Sequence, residues 1–179
     1  MFKIIVHFLI FFLLFFSNGH SENYSKIIVN GNERISQDTI LVFSELPSDK
    51  NLDDNLINDI LKKIYNSGFF KDVSVKIEND NLIINVIENP IIQTVFIEGI
   101  KRKKTEEDLY EILSLKDRSS YNLSLVKEDE ILILNYLKQK GYYFSNVTSS
   151  YQDLGDNKID LLYKVELGNK AKILSLIHI

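Results

Sequence analysis

Few residues in this sequence could do side-chain chemistry. There are three histidines and no cysteine. His7 lies in an apolar run at the N-terminus, His20 just beyond it and His178 beside the last residue. A Ser-His-Asp triad, a thiol nucleophile or a zinc cluster needs histidine or cysteine inside the folded part, and residues 21–177 contain neither. Carboxylates do cluster, at Asp53-Asp54 and at Glu106-Glu107-Asp108. Each cluster sits where a helix is expected to begin, and acids there complement the helix dipole. No glycine-rich phosphate loop is present. The expectation is a protein that is not an enzyme and holds no cofactor or metal. One run of positive charge remains, Lys101-Arg102-Lys103-Lys104. Its plain reading is a solvated loop, and its functional readings are lipid head groups or an acidic partner. Nucleic acid is not expected: the formal net charge is −4, and an RNA-binding fold of similar make-up would need a G-x-x-G loop that is absent.

The compartment is read from the N-terminus. Lys3 precedes an apolar run from Ile4 to Phe16, broken only by His7, and small or polar residues follow from Ser17 to Ser21. This is the pattern of a secretory signal, and the run is shorter than the roughly 20 residues of a spanning helix. A signal segment 1–21 is expected, cleaved after Gly19 or Ser21. Without cysteines, the exported domains must be held by packing alone.

The remainder reads as two repeats. Ile27 to Gly31 and Val95 to Gly99 are short apolar strands, each closed by a glycine. A helix follows in each half, capped by Ser36 or Asp38 and running through Glu45 in the first, headed by Thr105 in the second. A second helix begins at Asn51 in the first copy and carries Leu52, Leu56, Ile57, Ile60, Leu61 and Ile64 on one face. In the second copy Asn122 or Ser124 is the cap, and Val126, Ile133, Leu134 and Leu137 form the stripe. Gly68 and Gly141 end these helices, each followed by aromatics, Phe69-Phe70 and Tyr142-Tyr143-Phe144, which are expected in the core. Each half closes with a hairpin. The first turns at Asn79-Asp80-Asn81 and returns through Leu82 to Ile87, whose near-continuous apolar run suits a central strand. The second turns at Leu154-Gly155-Asp156-Asn157. Spacing between matching positions grows along the repeat, which places extra residues between the helices and in the hairpin turn of the second copy. The fold class is α+β, two tandem β-α-α-β-β domains after a signal peptide.

That element order resembles the POTRA domain. Gly68-Phe69-Phe70-Lys71-Asp72-Val73 is similar to the G-[FY]-F-x-x-V signature of POTRA domains in BamA-type proteins. Val86-Ile87-Glu88-Asn89-Pro90-Ile91-Ile92 is similar to the V-x-E-x-P-x-I link between successive domains, and Gly141 to Val147 and Val165-Glu166-Leu167-Gly168 resemble the matching parts of a second domain, with Leu167 inserted before the glycine. The boundaries implied are 24–90 for the first domain, 91–168 for the second and 169–179 for the start of a truncated third. The tail Leu174 to Ile179 equals the translation of a transposase-adapter sequence and is read as an artefact of a cut-off gene.

The resemblance implies the periplasmic part of a cell outer-membrane β-barrel assembly factor. Its implied partners are unfolded outer-membrane protein clients, accessory assembly lipoproteins and, through a missing barrel, the outer membrane itself. Alternatives that share the domain are a translocation-assembly protein, a two-partner secretion transporter and a division protein with an uncleaved anchor. A secreted α+β protein of another kind is the remaining alternative. The residues expected to bind partners are on sheet edges: Val73, Ser74, Val75, Lys76 and Ile77 in the first copy, and Val147, Thr148, Ser149, Ser150 and Tyr151 in the second. The first set alternates and carries lysine, as edge strands do, and its free backbone groups could pair with an extended client strand.

Overall fold

The computed structural model describes residues 21–48 and 51–170. The expected signal, except for Ser21, and the tail from residue 171 lie outside the described residues. The chain forms two compact units, one comprising residues up to Ser67 with Asp72–Ile87, the other Gly68–Lys71 with Glu88 onward.

The first unit begins with a short strand β1 (Ser21–Asn23) and then β2 (Lys26–Asn30). Helix α1 (Gln37–Ser44) starts at Ser36, whose side chain accepts from the Thr39 N–H, and stops at Glu45, which turns left-handed. Strand β3 (Asn51–Asp53) pairs antiparallel with β1, and α2 (Asp54–Asn66) follows. Asn51 is therefore not the cap expected for α2. Asp53 is, accepting from the Leu56 N–H at 2.8 Å. Leu52 lies one helical turn before Leu56, so the apolar period runs on into β3 and hides the boundary. The hairpin β4 (Phe70–Glu78) and β5 (Asn81–Glu88) completes a sheet of order β2-β5-β4. Strand β5 is central, parallel to β2. Ile40, Leu52, Ile60, Ile64, Leu82, Ile84 and Val86 are buried. Of the face expected on α2, Ile60 and Ile64 are buried, while Leu56 is exposed.

The second unit repeats the plan with β6 (Ile91–Glu98), α3 (Lys103–Ile112), α4 (Leu123–Gln139), β7 (Asn146–Gly155) and β8 (Lys158–Glu166). Its sheet has the order β6-β8-β7, with β6 and β8 parallel and β7 and β8 antiparallel. Helix α3 starts two residues before Thr105, at an Arg102 cap that makes no side-chain hydrogen bond. Asn122 caps α4, accepting from the Ser124 and Leu125 N–H groups. Val126, Ile133 and Leu137 are buried as expected, against Leu109, Ile159, Leu161, Tyr163 and Val165.

The extra residues of the second copy are not in the hairpin turn. Both turns are closed by two left-handed residues, Asn79-Asp80 and Asp156-Asn157, the geometry that matches strand twist. The additions lie in the elements and ahead of the hairpin: α4 has 17 residues against 13 in α2, β7 has 10 against 9 in β4, and six residues (140–145) separate α4 from β7 against three (67–69) between α2 and β4. The aromatic doublets also divide. Phe70 is buried and Tyr142 packs against the core, but Tyr143 and Phe144 are exposed.

Gly31 and Gly99 show why the two copies share a glycine. Their φ values are +80° and +92°. A Cβ at Gly31 would sit 2.1 Å from the Val86 carbonyl oxygen, and one at Gly99 1.8 Å from that of Val165. The backbone leaves each outer strand so close to the central strand that no side chain fits.

Candidate functional site

The expected partner-binding residues fall on the outer strands β4 and β7, in separate sheets of separate units. An outer strand has one row of backbone N–H and C=O groups with no strand beside it. Among the described residues, no backbone hydrogen bond ties β4 or β7 to a further segment on that side.

On β4, Val73 is buried and belongs to the core, while Val75 and Ile77 are half-buried. Ser74 is exposed and takes a hydrogen bond from Asn85 Nδ2 at 3.1 Å, and Asn30 Nδ2 donates to Asn85 Oδ1 at 3.0 Å. A polar row thus crosses all three strands on the face away from the helices. Lys76 pairs with Glu78 on the same strand. Lys76 lowers the Glu78 carboxyl below its ordinary range, first by its hydrogen bond and then by its charge.

On β7, Val147 is again core, whereas Thr148, Ser150 and Tyr151 are exposed. Ser149 donates to Glu130 Oε1 of α4 at 2.6 Å, and Lys127 pairs with the same carboxylate at 2.9 Å. Burial pushes the Glu130 carboxyl up, but the hydrogen bonds from Ser149 and Lys127 outweigh it and hold the group below its usual range. Tyr151 stands 5.6 Å from Tyr121, ring to ring.

The opposite edge of this second sheet is covered over its first part, as far as Val95. Residues 117–121 run along the start of β6. Arg118 N donates to Ile92 O, Ile92 N to Ser119 O and Tyr121 N to Pro90 O, and Ile91 and Ser120 form an antiparallel bridge. Asp117 Oδ1 accepts from the Val95 N–H at 2.8 Å. Among the described residues, β7 has no such cover along its outer side.

The sequence reading missed the polar centre of the second unit. Asp129 is fully buried on α4. It accepts from Ser114 N at 2.6 Å, Leu115 N at 3.0 Å and the Tyr163 hydroxyl at 3.0 Å. Burial first, then the neighbouring Asp129 charge and hydrogen bond, push the Tyr163 phenol far above its ordinary value. The group is structural: it ties the chain after α3 to α4 and to the central strand. The available signal was position, because Asp129 stands at core spacing between Val126 and Ile133. Among the described residues no cluster of three metal-ligating side chains occurs.

Comparison with known proteins bears on this arrangement. The POTRA family model, described as the surface antigen variable number repeat, matches residues 90–168. The outer membrane protein assembly factor BamA of Nitratidesulfovibrio vulgaris is 27% identical over 163 residues, covering 88% of this chain and 20% of that protein. The chain thus spans about a fifth of the length of that curated relative. The N-terminal domain of Omp85 from the thermophilic cyanobacterium Thermosynechococcus elongatus superposes with a TM-score of 0.59 at 17% identity, over 80% of this chain and 63% of that one. POTRA domains 1–2 of the periplasmic domain of Omp85 from Anabaena give 0.56 at 14% identity, over 86% of this chain and all of that one.

Proposed function

We propose, from the premise that the chain carries tandem POTRA-like domains similar to those of BamA and Omp85 proteins, that it is the periplasmic part of an outer-membrane β-barrel assembly factor. In that role it docks accessory lipoproteins and extended client strands and performs no covalent chemistry. Its site is the pair of outer strands β4 and β7. The observation that carries this reading is the repeated three-stranded sheet with a free outer strand in each unit, one of them on a sheet whose opposite edge is covered at its start by residues 117–121. A free edge offers backbone donors and acceptors at strand spacing, and these pair with any extended chain whatever its side chains. Such tolerance suits a protein that handles many clients.

The test is a proline scan across Val73–Ile77 and Val147–Tyr151, read by cross-linking to an unfolded outer-membrane protein. Proline removes the N–H. Where that N–H points away from the central strand, the sheet keeps its ladder and loses only the external donor. The expected result is lost cross-linking at alternate positions, centred on Val75 and Ser149, with unchanged circular dichroism. Ser149→Ala, which removes only the Glu130 contact, should keep the cross-link. Undiminished cross-linking across the whole folded series refutes the site.

A further inference from the structure

The basic run Lys101–Lys104 has no part in the sheet edges, yet three of its four residues line a concavity of about 430 Å³ in the second unit. Lys101, Arg102 and Lys104 enter from the loop before α3 and from its first turn. Lys140 comes from the end of α4, and Lys170 from the chain after β8. Five cations from three segments thus surround one space in a chain whose net charge is negative. One acid faces them: Asp108, which pairs with Lys104 at 2.9 Å and accepts from the Tyr136 hydroxyl at 2.8 Å. Among the described residues, Lys101, Arg102, Lys140 and Lys170 have no ion pair.

Two of these ammonium groups are held in place. Lys140 Nζ lies 5.1 Å from the Tyr136 ring centroid, and Lys170 Nζ 5.5 Å from that of Tyr142. Near the end of α4, the carbonyls of Tyr136, Leu137 and Lys138 already accept from the N–H groups of Lys140, Gly141 and Tyr142. Between the charges, the wall is apolar, formed by Ile100, Leu137 and Leu167.

We infer that this pocket binds a phosphate-bearing group joined to an apolar neighbour. Four unpaired cations exceed what one carboxylate can accept, whereas a phosphate offers several oxygens and up to two negative charges. Ammonium-to-phosphate hydrogen bonds are of the strong, charge-assisted kind. An acidic peptide would also need backbone partners. The pocket is instead lined mainly by side chains of helices and loops and lies away from the open strand β7. The apolar wall fits the glycerol and first methylenes beside a phosphate. The phosphate belongs either to a phospholipid headgroup or to a soluble phosphate ester; the chemistry of recognition is the same.

The experiment is an amide chemical-shift titration of the full chain with inorganic phosphate and with glycerol 1-phosphate. It is followed by co-sedimentation with vesicles of phosphatidylcholine alone or with equal parts phosphatidylglycerol. The expected result is saturable shifts at residues 99–105 and 140–142. Lys140→Ala combined with Lys170→Ala should weaken glycerol 1-phosphate binding about tenfold or more, and Lys158→Ala should not. If that double variant unfolds, Lys140→Gln with Lys170→Met keeps the stems over the tyrosine rings. Co-sedimentation with the phosphatidylglycerol vesicles, competed by glycerol 1-phosphate, identifies a lipid headgroup. Saturation without co-sedimentation identifies a soluble ester. Absence of saturable shifts, equal binding by the folded double variant, or tighter binding of polyglutamate than of either phosphate overturns the inference.

Discussion

Gly99→Ala should cost far more than the loss of a flexible residue. At Gly99 the backbone has φ +92°, and a Cβ would stand 1.8 Å from the Val165 oxygen and 2.9 Å from its carbonyl carbon. Carbon and oxygen approach to about 3.3 Å at closest, so the carbonyl would have to retreat by roughly 1.5 Å. Val165 pairs with Val147 and lies on the central strand β8, which has β6 on one side and β7 on the other, so it cannot move alone. The left-handed conformation costs about 1–2 kcal/mol for alanine. The forced displacement adds about 1–3 kcal/mol, as overpacking does elsewhere. Gly155 supplies the control: its φ is +78°, but nothing lies within 4 Å of its Cβ position. Gly155→Ala should therefore carry the conformational cost alone. For a domain of this size each kcal/mol is about 4–8 °C in Tm, so Gly99→Ala should melt roughly 5–20 °C below Gly155→Ala. Near-ultraviolet circular dichroism of tyrosine reads this unit, since of the nine tyrosines only Tyr24 and Tyr65 lie outside it. Equal melting of the two variants would show that the close approach of Val165 does not constrain this position.

Asp129→Ala should destabilise the second unit by about 2–3 kcal/mol, because it leaves the buried Leu115 N–H and Tyr163 hydroxyl, and the part-buried Ser114 N–H, without an acceptor; urea unfolding measures it, and Tyr163→Phe, which removes one donor, should cost less. The raised Tyr163 pKa gives a pH dependence of definite sign. The folded state holds that proton more tightly than the unfolded chain, so the contribution is complete below the unfolded pKa of about 10 and is lost as pH rises above it toward the folded value. Stability of the second unit should fall at alkaline pH, and Tyr163→Phe should flatten that part of the profile; a parallel decline in the variant would assign the effect to other groups.

The architecture was readable from sequence wherever one residue type has one conformational meaning. Gly31, Gly99, Gly68 and Gly141 mark chain reversals, and all four have positive φ. The apolar run Leu82–Ile87 marks the central strand. Reading failed where two signals overlap. Leu52 keeps helical phase with Leu56 although it lies in a strand, so the cap moved from Asn51 to Asp53. Helix α3 begins at Arg102, a residue with no capping side chain to announce it. Asp129 is invisible to a hydrophobic pattern because its burial depends on three donors far away in sequence. The basic run looked like a solvated loop, since Lys140 and Lys170 approach it only through the fold. Strands β4 and β7 are the outer strands of their sheets, but residues 117–121, which run along the start of β6, carry no strand pattern and could not be anticipated.

That covering segment allows the two candidate edges to be ranked. A three-stranded sheet has two edges, and the second unit covers the first part of one with backbone and Asp117 hydrogen bonds. On its open strand β7, Thr148, Ser149, Ser150, Tyr151 and Gln152 carry no charge. On β4, Lys71, Asp72, Lys76 and Glu78 are all exposed, and charges of this kind along an edge deter strand addition. An incoming strand at β4 must desolvate them, whereas at β7 it meets hydroxyls and a tyrosine ring that can hydrogen-bond or pack. Proline at Ser149 or Tyr151 should therefore reduce client cross-linking more than proline at Val75. Replacing Ser150 with Lys, which leaves the backbone donors intact, should reduce it as well. Stronger dependence on β4, or indifference to Ser150→Lys in a folded protein, would show that edge charge does not decide where clients pair.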